Sequence, residues 1–250
     1  MQMQQTGGKL PEAVHAALVE LRVRLLTILG DDLLALWTFG SATYEDRPKR
    51  FGDVDSYAVL RSPLKADVVR AVDDAHESTA RECRIEWDSW YVLELDVRSS
   101  KPPSHALRGV LTDHAWALHR AHWFAGHYVV LHGPAPEEFV PYPTWPELAE
   151  SLREELHFIA RIVELGPHDA EHAAFVVWQC CRIVYSMRTR DVVISKRAAA
   201  QWALEHMPES WHAAIHAAER TYDGTPALDD RSILVNALVP VFSASRDLME

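Results

Sequence analysis

Prolines at positions 134, 136, 141, 143 and 146 divide this chain of 250 residues into two parts with different sequence patterns. Proline fixes φ and donates no amide hydrogen, so such a run suits neither a central strand nor a helix interior and reads as an extended connector. Ahead of it, short apolar runs alternate with helical periodicity. Beyond it, every segment is helical. The chain is therefore expected to be α+β, a mixed sheet with flanking helices over residues 1–140 followed by an α-helical bundle over 141–250.

In the first part, Pro11 followed by Val14, Leu18, Leu21, Leu25 and Ile28, with Gly30 as a stop, predicts an amphipathic helix. Leu33 to Phe39 (LLALWTF) is a nearly continuous apolar run ending at Gly40-Ser41, as expected of a buried strand entering a tight turn. Strands are predicted over 54–60, 84–95 and 128–131, and helices over 63–81 and roughly 107–124. In the second part, Thr144 with Glu147 three residues on forms a capping signal for a helix ending at Gly166-Pro167. Helices are then expected over 169–187, 195–206, 209–222 and 232–246.

Charge excludes some partners. Thirty-six acidic against 25 basic residues leave a net charge of −11. Phosphate backbones and anionic lipids are gripped by an excess of Lys and Arg, so neither is expected as the main partner, whereas a cationic ligand or divalent metal is compatible. Three cysteines, two of them the adjacent Cys180 and Cys181, make no disulfide framework. The N-terminus lacks a basic region followed by an apolar run, and no apolar stretch reaches membrane-spanning length. The expectation is a monomeric cytoplasmic protein without a membrane segment.

The chemistry is concentrated in Phe39-Gly40-Ser41 and, after an intervening loop, Asp53-Val54-Asp55. No Gly-Lys-Ser/Thr is present, so this is not a phosphate loop of the Walker type. Gly-Ser at a strand end lets a backbone amide and a hydroxyl approach a phosphate unobstructed. Asp53 and Asp55, two apart on a strand, project from one face and repel unless a cation lies between them, which suits Mg²⁺. Arg47, Lys49 and Arg50 in the loop are either triphosphate contacts or solvated charges.

This pattern resembles the nucleotidyltransferase superfamily of the DNA polymerase β type. The resemblance implies a third carboxylate on a following strand, and Glu86, Asp88, Glu94 and Asp96 share one parity. If the intervening helix is a crossover, the two strands run parallel. A strand of about 26 Å and a returning helix of about 27 Å start the next strand level with Asp55. That favours Glu86, then Asp88, with Glu94 third.

The second part is similar to the C-terminal domain of aminoglycoside 3''-adenylyltransferases. The resemblance lies in Cys181-Arg182-Ile183-Val184-Tyr185-Ser186, in Ser195-Lys196 with Trp202, Glu205 and Pro208, and in Trp211, Ile215, Ala218, Tyr222 and Gly224. It implies ATP as co-substrate and Mg²⁺ as cofactor, with AMP transferred to a hydroxyl of a small cationic acceptor. Asp53 and Asp55 would bind the metal, Gly40 and Ser41 the β and γ phosphates, and Glu86 would act as general base. Lys196 matches the family's phosphate-binding lysine. Independently, Ser195 as N-cap would place Lys196 and Arg197 in a first turn, where the helix dipole disfavours cations unless an anion is bound. The stretch from Arg161 to His172 keeps acidic residues but has no tryptophan, which the family carries there. Two other readings stand beside this one: a nucleotidyltransferase that modifies a protein partner, and a nucleotide-binding module without catalysis.

Histidines at 114, 119, 122, 127 and 132 crowd one region without a recognisable zinc pattern. Arg161 and His168 have the spacing of a ribonuclease-toxin motif, but Gly166-Pro167 interrupts the helix it needs. The tryptophans read as packing.

Overall fold

A computed structural model describes residues 10–47, 53–107, 113–167 and 169–248, with the side chains of 105–107, 113 and 114 outside the description. Lys49, Arg50, His168 and the side chain of His114 therefore lie outside the described residues. The chain divides into two units: residues up to 45 with 51–143, and residues 46–50 with 144–250.

The first unit is built on a sheet of five strands, β1 (Leu33–Phe39), β2 (Asp53–Leu60), β3 (Glu86–Leu93), β4 (His105–Leu107) and β5 (Tyr128–His132), ordered β4-β3-β2-β1-β5. β2 runs antiparallel to β1, and β3 runs parallel to β2. The parallel pair needs a crossover, supplied by helix α2 (Ala66–Cys83). Helix α1 (Glu12–Leu29) buries Val14, Leu18, Leu21, Leu25 and Leu29. These side chains and Val72 of α2 pack with Leu36, Val54, Ala58 and Tyr91 on one face of the sheet. The opposite face is aromatic: Trp37, Phe39 and Tyr57 pack with Trp116 and Trp123 of α4 (Asp113–Phe124). Covered on both faces, β1 can be apolar almost throughout.

Two details differ from the sequence expectation. β3 ends at Leu93, and Glu94–Val97 form a helical turn, α3. A short strand, β4, stands at 105–107, where the sequence suggests the approach to a helix, and α4 begins at Asp113. A three-residue strand is too short to show the period-two alternation by which strands are recognised.

The second unit contains α5 (Trp145–Leu165), α6 (Ala170–Thr189), α7 (Lys196–His206), α8 (His212–Tyr222) and α9 (Asp230–Asp247). α6 is buried over most of its circumference, including Ala173, Val177, Trp178, Cys181 and Val184, as expected of a central bundle helix. Three of the helix starts, those of α5, α6 and α7, are capped by side chains the sequence marks. The Glu147 carboxylate accepts from the Thr144 amide at 2.8 Å, Asp169 accepts from the His172 amide at 2.8 Å, and Ser195 accepts from the Ala198 amide at 2.9 Å. Cys180 and Cys181 are fully buried free thiols, and burial pushes Cys180 up to about 12, leaving it unreactive. Among the described residues no helix is long and apolar enough to cross a membrane.

Candidate active site

β1 delivers the chain to a tight turn, Gly40–Thr43. Gly40 has φ +74°, a left-handed conformation that L side chains rarely adopt. The turn is closed by the Thr43 hydroxyl, which donates to the Gly40 carbonyl at 2.8 Å, and by the Tyr44 amide, which donates to the Ser41 carbonyl at 3.3 Å. Ser41 is exposed at its start. The glycine also serves a neighbour. A Cβ at position 40 would overlap Oδ2 of Asp55 and lie 2.8 Å from its Cγ, so the missing side chain makes room for the carboxylate.

Asp55 is opposite Phe39 of β1 and Asp88 of β3, while Asp53 is opposite Glu86. Parallel strands that start level thus bring two rows of acidic residues to the strand beginnings, as the crossover argument requires. Asp53, Asp55 and Asp88 each offer a carboxylate oxygen within 4.8 Å of the others, the one such group among the described residues. Two oxygens bound to one Mg²⁺ at about 2.1 Å are separated by at most about 4.2 Å, so a group of this spread needs little or no movement to share an ion. The donor set also fits chemically, being all hard oxygen. Asp88, exposed at its outer edge, is hydrogen-bonded to Asp53, and its carboxyl is raised to about 6, first by partial burial, then by the charge of Asp53 and this bond, and last by Glu86. Burial, with the Asp55 charge added, likewise pushes the neighbouring Tyr57 phenol up.

Glu86 stands beside this group without belonging to it. It is exposed at the first position of β3, opposite Asp53. Glu94 is remote: Leu93 pairs with Leu60, at the other end of β2, and Glu94 binds Arg98 at 2.7 Å. The sequence argument ranks Asp88 second because it matches the strand starts. The added signal is that the second aspartate of the pair, Asp55, has Asp88 as its register partner.

In the second unit Ser195 caps α7 as expected, but Arg197 needs no external anion. Its guanidinium binds Glu219 at 2.8 Å, Asp223 at 2.6 Å and the Asp46 carbonyl at 3.0 Å, and lies over the Trp178 ring. The carboxylates come from α8 and the residue after it, a tertiary pairing that helix-dipole reasoning could not supply. Lys196 places its ammonium 4.4 Å from the centre of the Phe175 ring. Two of the crowded histidines have tyrosine partners: His119 with the Tyr57 hydroxyl at 3.1 Å and His122 with the Tyr44 hydroxyl at 2.7 Å. Tyr44 is also stacked on His127, with ring centres 4.3 Å apart. Trp37, Trp116, Trp123 and Trp178 are core residues.

The structure of the spectinomycin adenyltransferase AAD(9) from Enterococcus faecialis, solved with ATP and spectinomycin, superposes with a TM-score of 0.70. The match covers 93% of this chain and 99% of that one at 14% identity. A mutant of the MntA–HpeT toxin–antitoxin complex aligns over 57% of this chain and 90% of that one, but with a TM-score of 0.28 and 11% identity it carries no argument. No curated protein sequence matches significantly. The fold thus resembles that of the AAD(9) structure, a mixed-sheet unit followed by a helical one. Residues 147–245 match the family described as aminoglycoside adenylyltransferase, C-terminal domain. That match lies within the second unit and agrees with the resemblance read from its sequence.

Proposed function

We propose that this chain is a nucleotidyltransferase that moves AMP from ATP to a hydroxyl of a small cationic acceptor, an aminoglycoside or aminocyclitol. The observation that carries the reading is the convergence of Asp53, Asp55 and Asp88 beside the Gly40-Ser41 turn. Asp53 and Asp55 would hold Mg²⁺, which when bound offsets the negative charge of the triphosphate. Gly40 and Ser41 would contact the β and γ phosphates, and Lys196 is a candidate phosphate ligand by its match to the family's lysine. The acceptor oxygen forms a bond to the α-phosphorus as the bond to the bridging oxygen breaks and pyrophosphate leaves. Asp88 takes the acceptor's proton: it lies with the aspartate pair, which Glu86 does not. The acidic balance of the chain suits an acceptor bearing ammonium groups.

The test is incubation with Mg²⁺, a panel of aminoglycosides and aminocyclitols, and ATP radiolabelled on its α-phosphate. A labelled drug is expected. Label appearing instead on a protein of the lysate, with every drug unlabelled, would overturn the acceptor class; ATP binding with no transfer to anything would overturn the catalytic reading.

Metal affinity should depend on pH in a definite direction. In the metal-free protein Asp88 holds its proton up to about pH 6, and a cation held by Asp53 and Asp55 beside it favours the loss of that proton. The apparent Kd for Mn²⁺ should therefore weaken by up to about tenfold for each unit below pH 6 and level off above about pH 7. Titrations at about pH 5 and about pH 7.5 measure this, and equal affinities would remove Asp88 from the metal's surroundings.

A further inference from the structure

We propose that the buried hydroxyls of Thr38, Ser56 and Ser89 are positioning residues that hold β2 and β3 at the separation the carboxylate group requires, an inference that rests on the metal-site reading above. Thr38 pairs in register with Ser56, and Ser56 with Ser89, so the three form one row across β1, β2 and β3. Each is one residue from the row that contains Phe39, Asp55 and Asp88. Their side chains therefore point to the opposite face, into the core formed with α1 and α2.

That core is otherwise largely apolar along these strands, with Leu36, Val54 and Ala58 as neighbours of the same parity and the Tyr91 hydroxyl bonded to His76 at 2.7 Å. Hydroxyls buried there, at 0%, 1% and 5% exposure, are costly unless hydrogen-bonded, and alanine or valine would carry no such cost. All three are bonded, and the bonds bear on the site. Ser56 Oγ and Ser89 Oγ are 2.6 Å apart, joining β2 to β3 at the first rung behind Asp55 and Asp88. The Thr38 hydroxyl donates to the Asp55 carbonyl at 2.8 Å, fixing the peptide that carries that carboxylate. On the other side of the sheet, like charges at the open ends of two strands push those ends apart. A side-chain bond at the adjacent rung opposes that spreading where the backbone ladder is about to end.

The test uses the full-length, nucleotide-free protein and Mn²⁺ as the probe, with affinity read from the free-ion spin-resonance signal and Tm measured in parallel. Removing both hydroxyls in Ser56→Ala/Ser89→Ala should weaken Mn²⁺ binding about tenfold, the scale of lost outer-shell support, while Tm changes little because no unpaired hydroxyl remains. Thr38→Val should weaken it by a smaller factor. A merely structural role would lower Tm and leave the Mn²⁺ affinity of the folded protein unmoved. Affinity within about twofold of the parent in the double variant, with binding abolished by Asp55→Asn, would overturn the positioning role and leave the metal site standing. Undiminished Mn²⁺ binding in Asp55→Asn would instead overturn the metal-site reading. Should the double variant not fold, Ser89→Cys, similar in size with a weak hydrogen-bonding group, decides by the same criterion.

Discussion

Gly40→Ala is expected to lower transfer activity about a hundredfold or more and to cost several degrees in Tm. Two effects combine. A left-handed φ of +74° costs an alanine about 1–2 kcal/mol, equivalent to about 2–8 °C for a protein of this size. The new Cβ would also occupy the place of Oδ2 of Asp55, with Cγ at 2.8 Å and Cβ of that residue at 3.2 Å, so the carboxylate must swing away. Displacing a reacting or metal-binding group by about 1 Å commonly costs about 10²-fold in rate. Gly224→Ala separates the two effects: Gly224 has φ +71° with nothing within 4 Å of the place a methyl group would take, so it should lose stability alone. Parental Mn²⁺ affinity and activity in Gly40→Ala would show that Asp55 has no part in the site.

The second large effect distinguishes the two leading carboxylates of β3. Asp88→Asn should lower kcat by about 10³-fold, within the range for loss of a general base, whereas Glu86→Gln should cost less than about tenfold. The difference follows from register. Both side chains are exposed, but Asp88 is opposite Asp55 and bonded to Asp53, whereas Glu86, at the first position of its strand, reaches the group only through its charge. Single-turnover transfer to the drug that accepts label, measured for both variants, decides between them. The opposite ranking would return the base to Glu86. Equal, small losses in both would remove β3 from the chemistry.

Much of the fold and site is legible in the sequence because local signals and tertiary demands coincide. The run from Leu33 to Phe39 is a strand covered on both faces and can be read without knowing its partners. Gly40-Ser41 and the aspartate pair can be read as a candidate site because the turn calls for a glycine and two carboxylates on one face of a strand suit a cation. The parallel direction of β3 follows from counting residues through α2. What cannot be read depends on neighbours distant in the chain. Glu86 and Asp88 share a face, and only the pairing of Asp55 with Asp88 separates them. Arg197 resembles half of an anion site as long as its partners Glu219 and Asp223 are unknown. Strand β4 has no local signature because its three residues owe their conformation to pairing with Tyr91 and Val92.

The sheet order has a consequence for how the protein fares at high concentration. The strands that carry the proposed chemistry, β1, β2 and β3, are all interior to the sheet. Its margins are β4, of three residues, and β5, of five, which runs into Gly133-Pro134. Short margins, one followed by proline, offer little template for another chain to add a strand. The long apolar ladder of β1 is thus kept from intermolecular pairing by its place in the sheet, and resistance to edge-to-edge aggregation does not depend on the negative charge alone.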